Sequence, residues 1–148
     1  MTAAILLDSG PLGLLCNPNN SSQPMACRAW LAACQAAGRR VIVPEIADYE
    51  VRRELTRIRS HAGIGNLDAL AASLDYLPLT TAAMRTAADL WAQARRSGHP
   101  TAADPALDAD VILAAQALSL GVAVVVATAN VGHLSRYAPA DVWTNITP

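Results

Sequence analysis

The 148-residue chain has no phenylalanine and no lysine, so all 11 of its basic residues are arginine. With a formal net charge of -1, it lacks the bulk positive charge of a protein that coats nucleic acid; only a local basic site is left open. Long apolar runs are missing too. The longest, residues 122–127, is far too short to span a bilayer. Cys16, Cys27 and Cys34 are odd in number and have no clustered histidines, which argues against both a disulfide framework and a zinc site. No basic stretch precedes the first apolar residues, so no signal peptide is expected and the expected location is cytoplasmic. Charged residues make up 16% of the chain, against 53% hydrophobic, a balance that excludes disorder. Thirty-one alanines account for much of that share, so the sequence is rich in small helix formers rather than bulky core residues. The length suits one domain, taken as residues 1–148.

Short apolar runs alternate with helical patterns. Residues 3–7 read as a buried strand ended by the turn Asp8-Ser9-Gly10-Pro11. Residues 25–37 read as a helix, with Pro24 at its start and Gly38 as its stop. A β-branched run at 41–43 is halted by Pro44, and residues 45–60 form a helix with Ala47, Val51, Leu55 and Ile58 on one stripe. Gly63 and Gly65 punctuate before a second short helix at 67–74. Residues 75–79 form a strand, and Thr80 or Thr81 caps a helix at 82–96. The stretch 97–108 is irregular. A helix starting at Asp108 or Ala109 runs to Leu120, Gly121 stops it, and residues 122–127 are the most strand-like of all. A short turn or helix near 131–134 and a weak strand around Val142 and Trp143 complete the chain. This alternation predicts a parallel sheet covered on both faces, an α/β three-layer domain.

Ligands of such sheets bind beyond the carboxyl ends of the strands. Asp8 follows the first strand, Glu50 lies in the helix after the second, and Thr128 and Asn130 follow the strand at 122–127. Asp110 opens the helix before that strand. Each has an ordinary reading: Asp8 as a turn or cap, Asp110 as first-turn charge on a helix dipole, Glu50 as a member of an ion-pair network with Arg53, Glu54 and Arg57, and Asn130 as a turn residue. Asp110, however, leads into the apolar run 111–115, and a carboxylate entering such surroundings needs a partner. Taken together, three carboxylates at one end of a sheet would repel one another unless a divalent ion compensates. An all-oxygen set suits Mg²⁺ or Mn²⁺, and such a site performs phosphoryl-transfer chemistry.

These segments resemble the PIN-domain ribonucleases, especially the VapC-type toxins of bacterial toxin–antitoxin pairs. Residues 5–9 resemble the family's opening strand with its metal-binding Asp, here Asp8. Residues 44–55 resemble the segment carrying its Glu, here Glu50. Residues 110–117, an Asp followed by an apolar triplet and a small pair, are similar to its most diagnostic motif, with Asp110 as the metal ligand. Residues 124–133 resemble the strand and the Thr-x-Asp/Asn turn that hold Thr128 and Asn130. The resemblance spans nearly the whole chain in the family's order. It implies a five-stranded parallel sheet flanked by helices, a Mg²⁺- or Mn²⁺-dependent endoribonuclease acting on RNA, a small antitoxin partner of a type II pair, and a homodimer. Asp8 and Asp110 would hold the ion, with Glu50 acting through a water or as a general base. Asn130 stands where many members have Asp, which removes a charge; Asp108, two residues before Asp110, is either a compensating acid or an N-cap.

Among the arginines, Arg52, Arg53, Arg57 and Arg59 crowd one helix. Arg53 and Arg57 share the Glu50 side, so they are the RNA-contact candidates, with a solvated ion-paired face as the alternative. His99 and His133 receive no role. Trp30, Trp91 and Trp143 are isolated in sequence; burial is expected of them rather than a stacking platform. The helix at 82–96 offers a dimer face or a core face. A haloacid-dehalogenase-type phosphatase also starts from a strand-ending Asp but needs a second Asp two residues on, where this chain has Gly10. The remaining rival is a PIN-like binding or dimerisation module with weak or no nuclease activity.

Overall fold

A computed structural model describes residues 2–98, 104–132 and 134–148; His99 and His133 lie outside them, as does part of the 97–108 stretch. Five strands form one sheet: β1 (Ala4–Leu7), β2 (Val41–Pro44), β3 (Asp75–Leu77), β4 (Val124–Thr128) and β5 (Ala140–Val142), in the order β3-β2-β1-β4-β5. Every neighbouring pair is parallel, as the alternation of apolar runs and helices implies. The central strand β1 pairs Ile5 with Val41 on one side and with Val125 on the other.

Residue alternation along β1 sends side chains to two cores. Ile5 and Leu7 join a core built with α1 (Ser9–Cys16), α2 (Ser22–Ala36), α3 (Glu45–Arg57) and α4 (His61–Ser73). Ala4 and Leu6 join the opposite core, where Leu113, Ala114 and Ala117 of α6 (Asp104–Ser119) pack. The helix α5 (Thr81–Arg96) lies against α6 through Ala83, Ala87 and Ala94. Small residues on this seam, Ala115 of α6 among them, let the two helices approach closely. Trp30 and Trp143 are both buried and, far from being isolated, pack against each other with ring centroids 5.7 Å apart.

Five local expectations are corrected. The Asp8-Ser9-Gly10-Pro11 turn is the start of α1, whose burial of Leu12, Leu15 and Cys16 outweighs the poor helix propensity of its glycines. An ideal Cβ on Gly10 would come within 2.8 Å of the Ala129 Cβ, so this glycine lets α1 pass close to the end of β4. The helix expected at 45–60 ends at Arg57; Arg59 adopts a positive φ of 57°, and the Ser60 side chain caps α4 by accepting from the Gly63 amide. Gly63 is thus inside α4 rather than before it, with Leu55 filling the space where a Cβ would go. Finally, α6 starts at Asp104, so part of the irregular stretch is helix and neither Asp108 nor Asp110 belongs to its first turn. The strand expected at 122–127 runs two residues later at its start and includes Thr128.

Candidate active site

In the order β3-β2-β1-β4-β5, the chain leaves β1 toward β2 on one side, while β4 is the neighbour on the other. A crevice at the carboxyl ends of β1 and β4 is the geometric consequence, and ligands of open parallel sheets collect there. Asp8 sits at that point. Its backbone amide extends the β1–β4 ladder to the Ala127 carbonyl at 2.9 Å, and its side chain caps α1 by accepting from the Ser9 amide at 2.7 Å. The second carboxylate oxygen accepts from the Thr128 hydroxyl at 2.8 Å. Thr128 is buried, and its Oγ1 in turn accepts from the Asn130 amide at 3.2 Å. The hydroxyl has one proton and two acceptors in reach, the Asp8 carboxylate at 2.8 Å and the Asn130 carbonyl at 3.1 Å; the shorter, charged one is the stronger acceptor. Capping and site roles therefore coincide in Asp8: each oxygen accepts one of these bonds, and lone pairs remain on both.

Glu50 reaches the same region from α3. Its side chain is only 19% exposed, and its pKa is raised, chiefly by burial and next by the negative charge of Asp8. Arg53, with a guanidinium nitrogen 3.9 Å from the Glu50 carboxylate, opposes the shift, and Asp110 adds to it. Acids from positions 8, 50 and 110 are thus within electrostatic reach of one another. Asp110 is half-buried on α6, two turns from that helix's start. Asp108 does not join it: two helical residues are about 200° apart around the axis. Asp108 instead is exposed and borders a groove with Met84, Ala87 and Trp91 of α5, and since α6 begins at Asp104 it is not an N-cap either. Asn130 lies beside Thr128 at the turn, but its carboxamide oxygen accepts from the Gly132 amide at 3.1 Å. Arg57 is exposed and doubly hydrogen-bonded to Glu54, one of these bonds at 2.9 Å, as in the ion-pair reading of this face. A cleft of about 460 Å³ opens beside Glu50, lined among others by Ser9, Asn17, Val51, Arg53 and Ile58.

Sequence reasoning missed the residues that hold this arrangement in place. Gln116 of α6 is fully buried; its Oε1 accepts from the Ile46 amide at 3.2 Å, and its Nε2 donates to the Leu77 carbonyl at 2.9 Å. It therefore ties the helix carrying Asp110 to the start of the helix carrying Glu50. Asp48, also buried, accepts from the Tyr76 hydroxyl at 2.6 Å and from Arg52 Nε at 3.0 Å, and Arg52 reaches on to Asp68 of α4. Only the i,i+4 spacing of Asp48 and Arg52 was visible in the sequence. Among the four crowded arginines, Arg52 is thus committed to fastening α3.

The donor set is all oxygen, the chemistry of a hard divalent cation. Glu50 fits such a guest electrostatically, since its charged form is disfavoured by burial and by two neighbouring acids, and a cation would reverse both effects. Among the described residues no three acidic, histidine or cysteine side chains stand close enough together to hold a metal ion by themselves. A hard cation such as Mg²⁺ keeps part of its hydration, so it can be held by few protein oxygens.

A family model described as the PIN domain matches residues 5–138. No curated protein matches the sequence. Several solved structures share the fold. VapBC2 from Rickettsia felis, bound to a DNA fragment from its promoter, superposes with a TM-score of 0.74 at 13% identity, covering 95% of this chain and 98% of that one. FitAcB from Neisseria gonorrhoeae gives 0.67 at 19% identity, over 96% and 99% of the two chains. Mycobacterium tuberculosis VapC20, a toxin that cleaves the sarcin–ricin loop, gives 0.65 at 14% identity, over 90% and 94%. Among the described residues no helix is long and apolar enough to cross a membrane.

Proposed function

The chain belongs to the PIN-domain family, and from that premise we propose that it is a divalent-metal-dependent endoribonuclease, the toxin of a type II toxin–antitoxin pair. One observation carries the reading: Glu50 of α3 feels the charges of both Asp8, at the end of β1, and Asp110, on α6. Acids 42 and 60 residues away in sequence that raise the pKa of the partly buried Glu50 carboxyl act against the fold unless a cation compensates them. A fold neighbour that cleaves the sarcin–ricin loop supports RNA as the substrate.

Asp8 and Asp110 would hold Mg²⁺ or Mn²⁺, with Thr128 keeping the Asp8 carboxylate fixed by its hydrogen bond. A cation bound there would supply Lewis acidity to the attacked phosphate and lower the pKa of water at neutral pH. Glu50, partly desolvated and with a raised pKa, is suited to accept the proton of the attacking water. Asn130 contributes through its backbone, whose amide and carbonyl both meet the Thr128 hydroxyl, more than through its side chain, whose oxygen is engaged with Gly132. Arg53, on the rim of the cleft, is the phosphate contact we favour.

The same reading takes residues 1–148 as one working domain in the cytoplasm, with a small antitoxin protein as partner and a homodimer as the assembled form. VapBC complexes among the fold neighbours support the antitoxin, and the exposed Met84 and Trp91 of α5 support a protein-facing surface there. The test is cleavage of a panel of RNAs with Mn²⁺, with Mg²⁺ and with EDTA, by the parent and by folded Asp110→Asn. Cleavage that needs the metal and Asp110 is expected. Cleavage in EDTA, or equal cleavage by the variant, overturns the mechanism; RNA binding without cleavage by the parent would instead leave a binding module.

A further inference from the structure

We propose that Tyr49 and Arg53 form a nucleobase subsite on the rim of the acidic pocket, where an unpaired base next to the scissile phosphate stacks on the Tyr49 ring. The inference rests on the RNA-cleaving reading above and adds to it the two residues that would hold an unpaired base.

Few aromatic side chains are left to do this. Trp30 and Trp143 are consumed by the core, the Tyr76 hydroxyl is bonded to Asp48, Tyr137 packs against the α6 side of the sheet, and Trp91, exposed rather than buried as expected, lies under Arg95 on α5, in a groove that Glu50 does not line. Tyr49 differs. It is 55% exposed, contributes nothing to either core, and is the chain neighbour of Glu50 on α3. Its ring is already shown to accept a flat cationic partner: the Arg53 guanidinium carbon lies 5.1 Å from the ring centroid. The same guanidinium is 3.9 Å from Glu50 and borders the cleft beside it. Arg53 thus links the aromatic face, the acid and the cleft.

At about 100° per residue, Tyr49 and Arg53 fall on one side of Glu50 around α3, while Val51 and Leu55 fall on the other, against the core. A strand crossing Glu50 would leave the cleft over Arg53 and meet Tyr49 one nucleotide on. Arg53 can bond a phosphate through its planar fork without leaving the ring, and its contact with Glu50 is long, unlike the close pairing of Arg57 with Glu54. Aromatic stacking is available to every base but only when the base is unstacked from its own neighbours, so duplex RNA is excluded while sequence is tolerated.

The test is binding of a fluorescent single-stranded RNA of roughly ten nucleotides, read by anisotropy in EDTA, together with KM and kcat in Mn²⁺. Tyr49→Leu keeps apolar bulk without a π-face and is expected to weaken binding about 5- to 150-fold, raising KM with kcat little changed; Tyr49→Phe retains the parent's affinity. One abasic position along the RNA should cost the parent a similar factor and cost Tyr49→Leu nothing further. Because Tyr49 is exposed on α3, all variants should melt with the parent. Parent-like affinity and KM in Tyr49→Leu, with RNA still cleaved by the parent, refutes the subsite alone. A parent that neither binds nor cleaves RNA removes the proposed function and the subsite together.

Discussion

Replacing Gln116 with leucine is the sharpest probe of how the site is held. The side chain is fully buried, and its two amide atoms satisfy the Ile46 amide and the Leu77 carbonyl. Leucine restores the volume but offers neither partner. The Ile46 amide, buried at the start of α3, would be left unsatisfied at a cost of about 1–3 kcal/mol. The Leu77 carbonyl lies in a partly open setting where water can replace the lost donor, so its share is nearer the net value of one hydrogen bond, about 0.5–1.5 kcal/mol. Together these come to about 1.5–4.5 kcal/mol, less the gain from burying an apolar residue instead of an amide. At about 2–4 °C per kcal/mol for a chain of this size, a loss of about 3 kcal/mol lowers Tm by about 6–12 °C. Urea denaturation with an unchanged m-value would show that the loss is of stability rather than of cooperativity. Because Gln116 links the helices bearing Asp110 and Glu50, Mn²⁺ affinity measured well below the new Tm should also fall. A Gln116→Leu protein as stable as the parent, binding Mn²⁺ equally well, would refute the reasoning.

Other expectations follow from single contacts. Burial and the charges of Asp8 and Asp110 raise the pKa of Glu50, so the folded state holds its proton more tightly than the unfolded chain and loses stability as pH rises through the folded pKa. Glu50→Gln, which cannot ionise, should therefore gain stability over the parent as pH rises from about 4 toward neutrality, measured by urea titrations in EDTA; a gap that narrows over that range would contradict this. Thr128→Val removes the donor to Asp8 at 2.8 Å and should cost about 1.5–3 kcal/mol, visible in the same titrations, and weaken Mn²⁺ binding about 10- to 100-fold. Burial pushes the Cys16 and Cys27 thiols up to about 12, so at pH 8 only about one in 10⁴ of each is thiolate, and both should resist a thiol reagent until the protein unfolds; rapid native labelling would show the core to be open.

The sheet was legible because its strands are its most apolar segments: residues 3–7 contain the observed β1, and 41–43 and 122–127 contain most of β2, which includes Pro44, and most of β4. The acids were proposed because Asp8 follows a strand, Glu50 lies in the helix after the second strand and Asp110 leads into an apolar run, although α6 begins six residues before it. What escaped is what depends on distant partners. The α1 sequence Ser-Gly-Pro-Leu-Gly reads as a turn, and only the cores under Leu12 and Leu15 and the closeness of Gly10 to Ala129 make it helical. Gly63 reads as a break for the same reason, yet it is the residue that lets α4 meet Leu55. The start of α6 was placed four or five residues late, which put Asp108 at a cap it does not occupy. Gln116 carried no local signal and Asp48 only its spacing to Arg52, since their other partners are Ile46, Leu77 and Tyr76, up to 70 residues away. Tyr49 was passed over because exposure cannot be read from one aromatic on an otherwise polar helix face.

The account stands on Asp8, Glu50 and Asp110 acting as one cation-binding pocket, and Mn²⁺ titration followed by electron paramagnetic resonance addresses that directly. For the parent, Asp8→Asn, Glu50→Gln and Asp110→Asn, each confirmed folded, the account predicts saturable binding by the parent and weaker binding by every variant, weakest for Asp8→Asn and Asp110→Asn. Parent-like Mn²⁺ binding in both aspartate variants would contradict it.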